Sequence, residues 1–119
     1  MNRKKLTLAQ HKRVYESCNG MCAYCGCKLR YEDMQIDHIT PLSNGGADTV
    51  KNMLPACRSC NHRKGLESLE SYRHSVENFL KVLNRDSVTY RNAVRYGLVT
   101  PNPQPVVFYF EKIGKGQRA

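Results

Sequence analysis

The sequence GMCAYCGCKLRYEDMQIDHITPLSNGGADTVKNMLPACRSCNHRKG, residues 20–65, decides the fold. It is framed by two Cys-x-x-Cys pairs, Cys22 with Cys25 and Cys57 with Cys60. Two such pairs are typical of a tetrahedral zinc site, in which each pair presents two thiolates to one ion. We therefore predict that these four cysteines bind a structural Zn²⁺ that joins the two ends of the insert between them. Zinc binding in such sites contributes about 10–16 kcal/mol.

Two further cysteines, Cys18 and Cys27, lie outside the pairs. An even number of cysteines in a short chain is also compatible with three disulfides. No apolar signal segment follows the basic N-terminus, however, because polar and charged residues interrupt residues 6–13. We therefore expect reduced thiols in an intracellular, cytoplasmic protein. Cys18 and Cys27 are expected to be small buried apolar side chains rather than alternative zinc ligands.

Length, composition and charge argue against several classes of protein. A chain of 119 residues is expected to form one domain, spanning residues 1–119. No apolar run approaches the roughly 18 residues that a membrane span needs, which argues against a membrane protein. The hydrophobic content of 40% argues against full disorder. The net charge of +9 fits a nucleic-acid partner without proving one.

Hydrophobic spacing and capping residues predict a mixed α+β fold. Thr7 and Gln10 form a capping-box pattern, which predicts a helix over residues 8–17. Apolar residues that recur at three- and four-residue steps predict an amphipathic helix over residues 67–83. The other predicted elements are strands at 34–39, 52–56 and 106–113, helices at 58–64 and 87–96, and flexible tails at 1–5 and 114–119.

Between the two cysteine pairs, the chain carries Asp37, His38 and Asn52 in order, and Asn61 follows the last cysteine. Together with the paired cysteines, this order resembles the HNH endonuclease family over about residues 20–65. The resemblance implies a small ββα-metal core framed by two zinc knuckles, here with flanking helices and a C-terminal strand. It also implies a metal-dependent endonuclease that nicks or cuts DNA with little sequence specificity.

The requirements of phosphodiester hydrolysis suggest roles for two adjacent residues. The reaction requires an activated water, a Lewis acid at the scissile phosphate and stabilisation of the leaving 3′ oxygen. A neutral histidine can take a proton from water near neutral pH, and an aspartate is a hard oxygen ligand for Mg²⁺ or Mn²⁺. Adjacent strand residues point to opposite faces, so Asp37 and His38 can share a site only if the strand ends or bends there. By resemblance, His38 is the general base and Asp37 binds the catalytic metal.

Two asparagines complete the site that the resemblance implies. The second metal ligand is Asn61, and His62 is the weaker alternative because it lies about 100° further around the helix. A site with oxygen ligands alone favours hard ions such as Mg²⁺ or Mn²⁺ over Zn²⁺. Asn52 is expected to hydrogen-bond the loop between the strands and so to fix the orientation of His38, without touching the metal.

Basic residues near the motif predict where DNA would bind. We expect Arg58, Arg63 and Lys64 to contact phosphates, with a solvated basic surface as an equal alternative. The main rival function is a non-catalytic zinc-knuckle module that binds nucleic acid. A second rival is a zinc module that binds proteins through the apolar face of residues 66–83. The sequence does not decide between a monomer and a homodimer.

Overall fold

The computed structural model describes residues 6–114, which divide into two compact units. The first unit comprises the described residues of Met1–Leu69 and Val107–Ala119, and the second unit is Glu70–Val106. The tails predicted at 1–5 and 114–119 lie outside the described residues, apart from Gly114. The prediction of one domain for the whole chain stays a prediction.

The first helix, α1, covers Leu8–Glu16 and ends one residue before the predicted boundary. Its start is fixed by the predicted capping box. The backbone N–H of Gln10 donates to the Thr7 hydroxyl over 3.1 Å, and the Thr7 N–H donates to the Gln10 side-chain oxygen over 2.9 Å. These bonds satisfy two backbone donors at the start of the helix, where donors would otherwise lack partners. The helix buries Val14 in the core of the first unit.

Two short strands form an antiparallel hairpin at the centre of the first unit. Strand β1 covers Gln35–His38 and strand β2 covers Met53–Ala56, both within the predicted ranges. Asp37 on β1 pairs with Leu54 on β2. All residues of β2 are buried, whereas in β1 only Asp37 is buried, Gln35 is exposed and the other two residues are half-buried. The hairpin therefore carries the predicted acidic residue on its inner face and ends at His38.

Helix α2, Arg58–Lys64, follows the hairpin directly and has the predicted bounds. Cys57 caps its start, because its sulfur accepts the backbone N–H of Cys60 at 3.4 Å. The helix ends at Gly65, whose φ of 54° lies in the left-handed region that favours glycine. The two strands and α2 form the small ββα core that the resemblance implies.

The second unit is helical. Its helices are α3 (Leu69–Glu77), which begins at the boundary of the unit, α4 (Phe79–Asp86) and α5 (Val88–Arg95). The prediction of one continuous helix over residues 67–83 is wrong, because the helix is interrupted at Asn78. The Asn78 N–H is shared between the carbonyls of His74 at 3.0 Å and Ser75 at 3.2 Å. Asparagine disfavours helix interiors, since its side chain competes for backbone hydrogen bonds.

The C-terminal strand predicted at residues 106–113 is absent from the described residues, which form a short helix, α6, at Tyr109–Lys112. Phe108 and Phe110 are both buried, and their two-residue spacing mimics a strand. The chain turns instead because the Glu111 carboxylate accepts the Phe108 N–H at 2.8 Å. The Phe110 N–H donates to the Ala23 carbonyl at 2.8 Å, so the segment packs on the first cysteine pair.

A membrane-spanning segment is also absent from residues 6–114, because none of their helices combines the necessary length and apolar character.

Candidate active site and thiol cluster

Four cysteine sulfurs lie close together beside the ββα core. The Sγ atoms of Cys22, Cys25, Cys27 and Cys57 are all within 4.8 Å of one another. This group includes Cys27 in place of Cys60, which instead hydrogen-bonds the Cys22 thiol. Cys27 is exposed, so the prediction that it is a buried apolar side chain is wrong.

Cys18 is fully buried, as expected. Cys27 was expected to be an apolar side chain rather than a zinc ligand because it stands outside the Cys-x-x-Cys pairs, although it lies only two residues after Cys25.

The cluster holds one thiol that ionises readily. The hydrogen bond from Cys60 lowers the pKa of Cys22 to about 4, against the effect of burial and with help from backbone groups of the two pairs. Partial desolvation raises the pKa of Cys27 to about 12, and the adjacent Cys25 and Cys57 sulfurs add to this effect. Thiolates are the form of cysteine that binds metal ions. A cluster of four sulfurs with one readily formed thiolate fits a metal such as zinc.

A cavity of about 300 Å³ opens where β1 ends and α2 passes beside it. The residues that line it are Ile36, Asp37, His38, Pro41, Leu42, Ser43, Asn61, Gly65 and Leu66. Asp37 and His38 both reach the cavity because β1 ends at His38, which satisfies the condition expected from the sequence. The structure therefore brings Asp37, His38 and Asn61 to one site. Asp37 and Asn61 offer a carboxylate and an amide oxygen, donors that fit a hard divalent cation, and His38 adds an imidazole beside them.

Asp37 is buried and is held by two donors. The Tyr24 hydroxyl donates to its Oδ2 atom. The Lys64 ammonium lies 3.2 Å from Oδ2 and 3.4 Å from Oδ1. The Lys64 side chain is 0% exposed. This position does not fit the phosphate contact predicted for Lys64, because its ammonium is enclosed against Asp37.

His38 is oriented by a residue that sequence reasoning missed. Its Nε2 atom lies 2.9 Å from Oδ1 of Asp48, and its side chain is 10% exposed. Because a carboxylate only accepts hydrogen bonds, Nε2 carries the hydrogen, and in the neutral ring the lone pair is then on Nδ1. Within the described part of the chain, Nδ1 makes no hydrogen bond.

The loop between the strands folds back and brings Asp48 to His38. A Cβ atom on Gly46 would lie 1.8 Å from the Thr40 carbonyl oxygen, so only glycine fits this close approach. The Gly46 N–H donates to the Pro41 carbonyl at 3.0 Å. The paired glycines at 45–46 indicate a turn in the sequence, but not which residue the loop brings to His38.

Asn52 joins both ends of the same loop. Its Oδ1 atom accepts the Thr40 N–H at 3.0 Å, and its Nδ2 donates to the Thr40 carbonyl at 2.9 Å and the Ala47 carbonyl at 2.7 Å. These are contacts to the loop, as expected for Asn52 from the resemblance. Asp48 follows Ala47 directly, so Asn52 holds the backbone beside the partner of His38.

The remaining predicted residues lie on or near α2. Asn61 lines the cavity with Asp37, whereas His62 lines a separate cavity of about 440 Å³ with Arg58 and Ser59. The geometry therefore favours Asn61 over His62 as a neighbour of Asp37. Arg58 and Arg63 are exposed on the surface of the helix.

Comparison with known proteins identifies this region. Residues 22–67 match the family model described as HNH endonuclease. They form an HNH endonuclease domain. The family supports a nuclease-type function, and the matched residues include both cysteine pairs and every residue singled out in the cavity.

Relatives of this HNH domain occur in proteins of different kinds. The CRISPR-associated endonuclease Cas9 of Corynebacterium diphtheriae is 38% identical over 48 residues, which are 40% of this chain and 4% of that protein. The Septu protein PtuB of Bacillus thuringiensis is 37% identical over 56 residues, 44% of this chain and 22% of that protein.

A longer match is the SPbeta prophage-derived putative HNH endonuclease YoqL of Bacillus subtilis. It is 32% identical over 85 residues, 62% of this chain and 36% of YoqL. The chain thus spans only 4% to 36% of the lengths of these relatives.

A solved structure shares the fold of the HNH domain. The Type II-C Cas9 enzyme from Actinomyces naeslundii superposes with a TM-score of 0.51 at 22% sequence identity. The match covers 61% of this chain and 9% of that enzyme. At this level of identity, the likeness concerns the fold alone.

Proposed function

We propose that this chain is a metal-dependent endonuclease that hydrolyses DNA phosphodiester bonds, with His38 as its general base. The observation that carries the proposal is the cavity that Asp37, His38 and Asn61 share at the end of β1. A nuclease needs an acid ligand, a base and a second ligand around one phosphate, and these three side chains supply them.

His38 would take the proton from the attacking water at Nδ1. The hydrogen bond from Nε2–H to Asp48 holds the ring in the tautomer that leaves Nδ1 as an acceptor. Asn52 supports this arrangement indirectly, because it fixes the loop that carries Asp48. Asp48 and Asn52 are thus positioning residues, and His38 is the catalytic one.

Asp37 and the amide oxygen of Asn61 would hold Mg²⁺ or Mn²⁺ in the cavity. When bound, such a cation supplies Lewis-acid stabilisation of the phosphate and of the leaving 3′ oxygen. The Tyr24 hydroxyl fixes the Asp37 carboxylate from the side of the cysteine pairs. Water attack with loss of the 3′ oxygen would leave 5′-phosphate and 3′-hydroxyl ends.

For the thiol cluster we propose zinc as a structural ion. Cys22, Cys25 and Cys57 belong both to the paired pattern and to the cluster of close sulfurs. The Cys-x-x-Cys pairs in the sequence give Cys60 as the fourth ligand, whereas the distances between the sulfurs give Cys27. The zinc ion would join the two ends of the domain, because the cluster contains cysteines from both sides of the hairpin.

DNA would be bound through its phosphates. Arg58 and Arg63 are exposed on α2, the helix that also carries Asn61. Contacts of this kind position the duplex without reading its sequence, which supports the expectation of low specificity.

A plasmid-nicking assay tests the proposed function. Purified protein is incubated with supercoiled DNA in Mg²⁺, Mn²⁺ or EDTA, and His38→Ala is compared with His74→Ala. His74 is a matched control because its side chain is 80% exposed in the second unit. We expect metal-dependent nicking that His38→Ala loses and His74→Ala keeps. DNA binding without nicking under every condition would favour the non-catalytic module instead.

A further inference from the structure

A buried lysine touches both key residues of the cavity. Lys64 and Asp37 are the buried charged residues within residues 6–114. The Lys64 ammonium lies 3.2 Å from Oδ2 of Asp37 and donates to the His38 backbone carbonyl over 3.1 Å. The mechanism proposed above assigns this ammonium no task.

Lys64 balances the charge of Asp37, while the nearby Asp48 carboxylate hydrogen-bonds His38 and does not line the cavity. Asp37 is the only carboxylate among the described residues that line the cavity, and Lys64 forms an ion pair with it. The other polar side chains of the lining, His38, Ser43 and Asn61, include no acid. A divalent cation that approached the free protein would therefore meet a carboxylate whose charge is already balanced.

Holding Asp37 in place does not by itself require a cation. The Tyr24 hydroxyl already donates to the carboxylate. A buried ion pair contributes little net stability, because removing both charges from water offsets their attraction. What Lys64 adds beyond a hydrogen bond is a fixed positive charge beside the carboxylate.

We propose that Lys64 is an internal counter-ion of Asp37, which makes tight binding of the catalytic cation depend on a phosphate of the nucleic-acid substrate. The proposal rests on the proposed function, because it takes Asp37 as a metal ligand. Mg²⁺ sites commonly combine one or two carboxylates with substrate phosphates. In this chain the phosphate supplies the negative charge that Lys64 cancels, so metal and DNA bind cooperatively.

Binding of Mn²⁺ measures this coupling without relying on cleavage. Free Mn²⁺ is followed by electron paramagnetic resonance during titration of the zinc-loaded full chain. The variants compared are Lys64→Met, Asp37→Asn and, as an exposed control, Lys51→Met. A second titration uses His38→Ala with and without a DNA duplex, after subtraction of Mn²⁺ bound by the duplex alone. The His38→Ala variant is used because it should not cleave the duplex and because it retains Lys64.

We expect Lys64→Met to bind Mn²⁺ at least tenfold more tightly than the wild type, whereas Lys51→Met is unchanged. DNA is expected to tighten Mn²⁺ binding to His38→Ala at least tenfold. Asp37→Asn should abolish the tight site in both titrations.

Two results separate the possible failures. If Asp37→Asn abolishes Mn²⁺ binding but Lys64→Met does not strengthen it, the counter-ion proposal is overturned and the metal site stands. Should Lys64→Met fail to fold, equal Mn²⁺ binding by His38→Ala with and without DNA overturns it in the same way. If Asp37→Asn leaves Mn²⁺ binding unchanged and the wild type never nicks DNA, the proposed function fails together with the counter-ion proposal.

Discussion

Replacement of Asp48 by alanine would test whether the orientation of His38 limits the rate of cleavage. The substitution removes the 2.9 Å hydrogen bond to Nε2 and leaves the ring free to turn and to change its tautomer. A hydrogen bond to a charged group contributes about 1.5–3 kcal/mol. Since each 1.36 kcal/mol corresponds to about a tenfold change in rate, the single-turnover nicking rate should fall by about 10- to 150-fold.

The matching asparagine variant refines this prediction. In Asp48→Asn the amide oxygen still accepts a hydrogen bond from Nε2–H, but a neutral acceptor is only about half as strong as a carboxylate. Its rate should therefore lie between those of the wild type and Asp48→Ala. Asp33→Ala is the control, because Asp33 is a 51% exposed carboxylate that pairs with Arg30 away from the cavity.

Two measurements decide whether Asp48 acts through His38. Nicking is followed at saturating metal and DNA, and the ring nitrogens of His38 are observed by ¹⁵N NMR. The wild type should show one tautomer with hydrogen on Nε2, and Asp48→Ala should show a mixture. A wild-type rate in Asp48→Ala, or an unchanged tautomer in that variant, would refute the reasoning.

Two further predictions concern the loop and the thiol cluster. Gly46→Ala places a Cβ 1.8 Å from the Thr40 oxygen. Thermal unfolding should therefore show a loss of stability of about 1–3 kcal/mol, and the plasmid assay should show a reduced nicking rate. Stability and rate both equal to those of the wild type would contradict the close approach. Cys22→Ser removes a sulfur that belongs to both possible ligand sets. Because such an ion contributes about 10–16 kcal/mol, this variant should lose its bound zinc, measured by elemental analysis, and its cooperative unfolding, whereas the control Cys18→Ser should retain zinc. Full zinc content in Cys22→Ser would contradict the site.

Elements with strong local signals could be predicted closely from the sequence. The helix α2 has a cysteine cap at one end and Gly65 at the other, and its predicted bounds agree with the structure. The hairpin strands also lie within their predicted ranges. The prediction of a strand at 106–113 is wrong because the two-residue spacing of the buried Phe108 and Phe110 is also that of a strand. The hydrogen bond that the Phe108 N–H donates to the Glu111 carboxylate favours a helix instead.

The partners of the site residues could not be predicted in the same way. Asp48 lies ten positions after His38 in a loop whose path depends on Gly46 and on the side chain of Asn52. Lys64 was expected to contact a phosphate or to lie on a solvated basic surface, and it is buried instead. Its burial depends on Asp37, which is 27 positions away and opposite it only after the hairpin and α2 have packed.

The same contacts connect the thiol cluster with the cavity that Asp37 and His38 line. Tyr24 lies between Cys22 and Cys25, and its hydroxyl reaches the carboxylate of Asp37. Lys64 lies four positions after Cys60 on α2 and reaches the same carboxylate. Both donors to Asp37 are thus carried by the segments that contain the two cysteine pairs. An ion at the cluster would therefore fix the position of Asp37 as well as stabilise the fold, because loosening either cysteine pair would move a donor away from that carboxylate.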